Sequence, residues 1–239
     1  MTFTPLPAEF YRPSAAVVAP KLLGHFLVRR TPQGFAGGVM VETEGYLAND
    51  PSCHGFRRET PRNRSMYGPP GRAYVYFIYG NYYCFNAVCA PAGLAEAVLV
   101  RAIEPAFGTE WMQRNRPGSD LRELTSGPAK SCLALAIERE FDGADLCSAD
   151  SPLMIARNPQ AAAFRRQRGP VITTTRIGIS VAEHLPLRFY LDGSEFVSKR
   201  DRAANARIKR AARGTPTKSG TRPAHDEGGH KPPIASSPP

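Results

Sequence analysis

"AYVYFIYGNYYCFNAVCA", residues 73–90, sets aromatic and β-branched side chains on either side of Gly80-Asn81. A two-residue, glycine-containing turn between two such runs predicts a β-hairpin. Five of the nine tyrosines (Tyr74, Tyr76, Tyr79, Tyr82 and Tyr83) fall within ten residues of it. The conservative reading puts these rings on a core with their hydroxyls at its edge. Tyr79, however, sits beside the turn, where a ring has little core to reach. An aromatic ring there, with cations nearby, fits a wedge that enters a base stack.

The cations lie just upstream. Residues 48–71, "ANDPSCHGFRRETPRNRSMYGPPG", show little apolar periodicity, and loops this long are usually functional or disordered. The loop carries His54 and the arginines Arg57, Arg58, Arg62 and Arg64, opposed by Asp50 and Glu59. Four arginines in eight residues read most simply as a solvated surface. Only two lysines, Lys21 and Lys130, precede the tail, and arginine's planar fork pairs bidentately with phosphate where lysine is a point charge. Phosphate contact is therefore the second reading. His54 taken alone reads as a structural or surface histidine.

Before the loop comes "VETEGYL", residues 41–47. On a strand, Met40, Glu42, Glu44 and Tyr46 share one side. Burying that side desolvates two carboxylates, which is costly unless they are paired or used. Their spacing along a strand is about 6.6 Å, near the carboxyl separation at which inverting glycosidases fit a water. The plainer alternative pairs one glutamate with an arginine such as Arg101 and leaves the other in solvent. The adjacent tyrosine keeps the first reading open.

Further out, "SAAVVAPKLLGHFLVRR" predicts a short helix running into a strand, with Pro20 near the junction, and "GFAGGVMVETEGYL" a second strand entered through glycines. "AEAVLVRAIEP" predicts a strand ending at Pro105, and "SGPAKSCLALAIE" a capped helix with Pro128 in its first turn. "RIGIS" and "LPLRFYLDG" read as late strands around a turn. These elements make one compact α/β (α+β) domain over residues 1–200, with a curved, mostly antiparallel sheet, peripheral helices and a protruding hairpin. Residues 201–239 are rich in Arg, Ala, Gly, Pro and Ser with little to bury, and are expected to be a disordered extension.

The formal charge of +10 is uneven: residues 199–239 carry ten Lys/Arg against three Asp/Glu. That asymmetry points to a polyanionic partner. Five cysteines, Cys53, Cys84, Cys89, Cys132 and Cys147, include no CxxC pair, which argues against a zinc or iron–sulfur site and for a reducing compartment. No run approaches 18 apolar residues, and the first residues lack the basic-then-apolar order of a secretory signal. The expected setting is cytoplasmic, nucleoid-associated in a bacterium, and not secreted.

Together "LLGHFLVRR", "VETEGYL", the histidine of "SCHGF", "TPRNRSMYGPPGRAYVYFIYGNYYCFNAV", "AVLVRAIEP", "SGPAKSCLALAI" and "PLRFYLDG" resemble, in order, the alkyladenine (methylpurine) type of 3-methyladenine DNA glycosylase. The resemblance runs over some four-fifths of the chain and leaves out the basic tail. It implies that Glu44 is the general base, activating a water that attacks the deoxyribose C1′ while the damaged base leaves. It implies that Tyr46, His54 and Tyr76 line the pocket around a flipped base and that Tyr79 fills the gap in the duplex. Asn86 matches the side chain that crowds a purine 2-amino group, and Arg101 a pocket-edge arginine near the reactive water or a phosphate. The loop arginines Arg57, Arg58, Arg62 and Arg64, with Lys130, are the candidates for backbone phosphates.

The expected activity is monofunctional hydrolysis of alkylated or deaminated purines from duplex DNA, 3-methyladenine first, with 7-methylguanine and hypoxanthine as further candidates. No lysine occurs between Leu22 and Ala129, so no amine within the matching block offers a Schiff base. The protein is expected to act as a monomer on double-stranded DNA, without a membrane, metal or cofactor. Two rival classes are a non-catalytic nucleic-acid-binding module of the same fold and a glycosidase of sugar polymers. Glu44 argues against the first, since binding a polyanion gains nothing from acids facing it. The single tryptophan, Trp111, outside the matching stretches, argues against the second.

Overall fold

In the computed structural model, residues 1–78, 80–204 and 206 are described; Tyr79 and nearly all of the basic tail lie outside them. Helices α1 (Ala8–Tyr11) and α2 (Ala15–Leu22) lead into strands β1 (Phe26–Thr31) and β2 (Gly34–Tyr46). After the long loop come β3 (Ala73–Ile78), β4 (Tyr82–Cys89) and β5 (Glu96–Phe107). Helices α3 (Thr109–Asn115) and α4 (Pro128–Ala134) follow, then β6 (Leu153–Ala156), α5 (Ala161–Gln167), β7 (Val171–Thr174) and β8 (Arg188–Leu191). No helix among the described residues is long and apolar enough to cross a membrane.

Every strand pairing is antiparallel, in the order β3-β4-β5-β2-β1-β6. β2 is the hub. One edge pairs along most of its length with β5. The other is shared: Gly34–Val39 pair with β1, whereas Glu42–Glu44 pair with β8, which continues to β7. The sheet thus forks near residues 40–42 and curls.

Alternation sorts the side chains of four neighbouring strands onto two faces. Val75, Phe85, Ala87, Val98 and Val100 join the main core, against which α2 and α4 pack. Thr43 on that face donates its hydroxyl to the Ala19 carbonyl of α2 at 2.9 Å. The opposite face carries Tyr74 and Tyr76 of β3, Cys84 and Asn86 of β4, Leu99 and Arg101 of β5, and Tyr46 of β2, which all border one cavity.

Several expectations need correction. Met40 does not share a wall with Glu42: the register shifts between them, and Met40 and Val41 both enter the main core. A bulge of this kind re-aims side chains, here turning the acidic stretch away from the core. Ile78 pairs with Tyr82, so residues 79–81 make a three-residue connection in place of a two-residue turn, and Gly80 adopts φ +75°. β5 continues through Pro105 to Phe107; the proline sits opposite Gly38 beside a register shift, where a missing N–H is tolerated. Pro20 lies inside the last turn of α2. The α4 helix starts at Pro128 as expected but after Gly127, with no side-chain cap. "RIGIS" is not a strand. β7 ends at Thr174, and the next residues are drawn to the buried acids described below. Just after residue 200, Ala204 is buried with Ile172, Tyr190 and Val197, and Asp201 accepts the amides of Ala203 and Ala204 at 3.0 Å.

Gly38 tests how tightly the hub is built. A Cβ there would lie 2.1 Å from the Glu104 carbonyl oxygen and 2.9 Å from Pro105 Cα, both backbone atoms that have no rotamer to escape into. Gly38→Ala is expected to cost about 1–3 kcal/mol, the usual range for overpacking. At about 2–4 °C per kcal/mol for a domain of this size, thermal unfolding followed by circular dichroism should show a midpoint about 2–12 °C lower.

Candidate active site

The cavity on the aromatic face has a volume of about 280 Å³, at the low end for small-molecule sites and suited to one flat ring system. Tyr46, Tyr76 and His54 stand on its walls, with Asn86, Leu99 and Cys84 from the sheet. The start of α4 (Pro128, Ala129) and the segment Ile177–Ile179 close it from other sides. Strand pairing puts these groups together: Tyr76 is opposite Cys84, Tyr74 opposite Asn86, and Asn86 opposite Leu99. Two polar groups of the aromatic wall are tied to Tyr74: Asn86 Nδ2 donates to its carbonyl at 3.0 Å, and His54 Nδ1 lies 2.9 Å from its hydroxyl. The His54 and Tyr76 rings meet edge-to-face at 4.4 Å.

Burial raises the pKa of all three cavity phenols, Tyr46, Tyr74 and Tyr76, which therefore stay protonated at neutral pH. His54 is exposed on its outer side, yet the protein packed around it, and then the charge of Arg62, lower its pKa below the ordinary value. The aromatic wall is uncharged near pH 7.

Behind it lies a group of buried charges. Glu42 and Glu44 are both 0% exposed. Glu44 Oε1 accepts the Ile177 amide at 2.9 Å and lies 3.2 Å from Arg101 Nη1, while Oε2 accepts the Tyr46 hydroxyl at 3.0 Å. Glu44 does not itself border the cavity; Tyr46, Arg101 and Ile177, the three groups that hold it, do. Glu42 is turned to the scaffold: Oε1 accepts Arg188 Nη1 at 2.9 Å and Arg101 Nε at 3.3 Å, and Oε2 accepts the Ser198 amide at 2.7 Å. Burial opposes the charge on Arg101, but Glu44 and Glu42 outweigh it and its pKa is raised. A third pair, Asp50 with Arg176, is completely enclosed beside Tyr46.

The arginine loop is placed around a second cavity of about 340 Å³ that shares His54 and Tyr74 with the first and is lined by Arg57, Arg58 and Arg62. Arg57 and Arg58 are exposed and have no side-chain partner among the described residues. Arg62 donates to the Phe77 carbonyl at 2.9 Å, and Arg64 pairs with Glu59 at 3.3 Å. Lys130 pairs with Glu123 and does not border the first cavity. Tyr79 lies outside the described residues. The five cysteines are free thiols, four buried and Cys147 partly so. Among the described residues, no group of three or more His, Cys, Asp or Glu is placed to hold a metal ion.

Sequence reasoning assigned no part in the site to Arg188, Arg176, Ser198 or Tyr74, and read Asp50 only as a charge opposing the loop arginines. Arg188 had a signal, an arginine within the apolar run "LRFYL". Asp50 in "NDP" had none, because aspartate before proline reads as a turn.

A family model described as methylpurine-DNA glycosylase (MPG) matches residues 9–195. Relatives named "Putative 3-methyladenine DNA glycosylase" include one from Carboxydothermus hydrogenoformans, 45% identical over 195 residues, covering 82% of this chain and 99% of the relative. One from Methanoculleus marisnigri is 47% identical over the same two shares, and one from Agrobacterium fabrum is 46% identical over 83% of this chain and 95% of its own. A match that spans the forked sheet, the aromatic cavity and the buried acids together leads to one conclusion: the chain belongs to the methylpurine-DNA glycosylase family and is a DNA glycosylase.

Proposed function

We propose that this enzyme extrudes alkylated or deaminated purines from duplex DNA into the aromatic cavity and hydrolyses the N-glycosidic bond with water activated by Glu44, leaving an abasic site. The observation that carries this reading is a buried carboxylate held by three cavity-lining groups, directly behind a wall of neutral rings. A carboxylate so placed can take a proton from water and stabilise positive charge developing on the sugar. The attacking water enters at the cavity edge between Tyr46 and Arg101, the two lining side chains that touch Glu44.

Flipping a nucleotide costs a few kcal/mol, least for damaged or mismatched pairs, so the duplex itself contributes to selection. Stacking among Tyr46, His54 and Tyr76 then favours an electron-poor, alkylated purine by about 0.5–2 kcal/mol. 3-Methyladenine is cationic and already a good leaving group, so modest acceleration suffices. Asn86 projects into the same cavity, where it would crowd a 2-amino group. Arg57, Arg58 and Arg62 surround the neighbouring cavity and are the proposed backbone contacts, with Tyr79 as the wedge.

Two experiments test this. Wild-type enzyme should release 3-methyladenine from methylated duplex, whereas Glu44→Gln should be slowed about 10²–10⁴-fold and still bind a duplex carrying an abasic-site analogue. Release by Glu44→Gln at the wild-type rate would remove Glu44 from the chemistry. Binding by the wild type without release would leave a DNA-binding module.

The second concerns the nucleophile. Among the described residues the cavity lining contains no lysine, and Lys130, next to the lining residue Ala129, is held by Glu123. Borohydride treatment during turnover should trap no covalent protein–DNA adduct on a denaturing gel. An adduct would mean that an amine, not water, attacks the sugar.

A further inference from the structure

Arg176 is fully enclosed, and the hydrolytic reading gives it nothing to do. Its Nη1 donates to Asp50 Oδ2 and, at 3.1 Å, to the carbonyl of Gly45. Its guanidinium carbon lies 4.7 Å from the centroid of the Tyr46 ring. Nε and Nη2 are buried with no hydrogen-bond partner among the described residues. As a device for stability alone this is a poor one, because an apolar pair of similar volume avoids the desolvation of two ions and the two orphaned donors.

What Arg176 touches is more informative. Tyr46 borders the cavity and Arg176 does not, and the guanidinium stands over the Tyr46 ring. Asp50 begins the loop that brings Ser52 and His54 to the cavity, and its Oδ1 accepts both the amide and the hydroxyl of Ser52. The residue after Arg176 supplies the amide that holds Glu44 Oε1 at 2.9 Å. One cation therefore ties together the ring that hydrogen-bonds Glu44, the amide that hydrogen-bonds Glu44, and the loop of the facing wall.

We propose that Arg176 is a positioning residue: by backing Tyr46 and anchoring the Ile177 amide, it fixes the Glu44 carboxylate in its orientation for proton abstraction. This rests on the reading of Glu44 as the proton acceptor. Displacing a catalytic group by about 1 Å costs on the order of 10²-fold in rate, so a positioning residue should move turnover far more than binding.

Two variants separate positioning from folding. Arg176→Lys keeps a charge for Asp50 and Gly45 but cannot cover a ring face with a plane. Asp50→Asn combined with Arg176→Met keeps an acceptor for Ser52 and leaves no charge to bury. Single-turnover release of 3-methyladenine and affinity for an abasic-site duplex are measured for both, with wild type and Glu44→Gln alongside, well below the unfolding midpoint. Both variants should fold, bind the abasic duplex within about twofold of wild type, and release base at least about tenfold more slowly. Wild-type release by either folded variant overturns the proposal, as does loss of affinity in step with rate, or failure of both to fold. If Glu44→Gln is as fast as wild type, the proton-acceptor reading has failed and Arg176 falls with it. If wild type itself releases nothing, the glycosylase reading has failed.

Discussion

The site is organised by a buried, charge-balanced cluster: Glu42, Glu44 and Asp50 against Arg101, Arg176 and Arg188. All six are at most 7% exposed. Desolvating so many ions is repaid only by close pairing, and removing one partner leaves a charge stranded. That constraint reaches through the fold. It joins β2 to β5 through Arg101, β2 to β8 through Arg188, and the loop after β2 to the segment after β7 through Asp50 and Arg176. Ser198 adds the chain beyond β8 by giving its amide to Glu42. Where the sheet forks, two strands share one edge of β2, and the charges add to a branch whose strand pairing spans only three residues.

In front of the cluster the polar atoms are arranged in the opposite way. Each cavity phenol is protonated, and Tyr46 is bonded to Glu44 and Tyr74 to His54. The wall offers ring faces without net charge, and the one charged side chain lining it among the described residues, Arg101, is balanced from behind by Glu42 and Glu44. Ring faces and charge are thus kept on separate sides of the site.

Much of this was legible from local pattern. The aromatic and β-branched runs on either side of Gly80-Asn81 located the hairpin, and the period of two placed Glu42, Glu44 and Tyr46 on one side. Both depend on neighbours in the chain. The errors arise where distant contacts decide. Met40 leaves the wall because of a register shift against β5, which no property of residues 40–42 announces. "RIGIS" alternates like a strand, but its amide and its arginine are claimed by acids 133 and 126 residues away. Arg188 meets Glu42 across 146 residues. For Glu42 the residues alone left open a bond to the scaffold or a like charge raising the proton affinity of Glu44; its observed partners are Arg188, Arg101 and the Ser198 amide.

The cysteines give this arrangement a chemical consequence. Burial raises the pKa of every one of them, Cys53 and Cys147 to about 11, and none is exposed. The thiolate is the reactive form, so at neutral pH these sulfurs are held as weak nucleophiles. The electrophiles that methylate purines also seek soft nucleophiles such as thiolates. A repair enzyme built this way offers such electrophiles few thiolates.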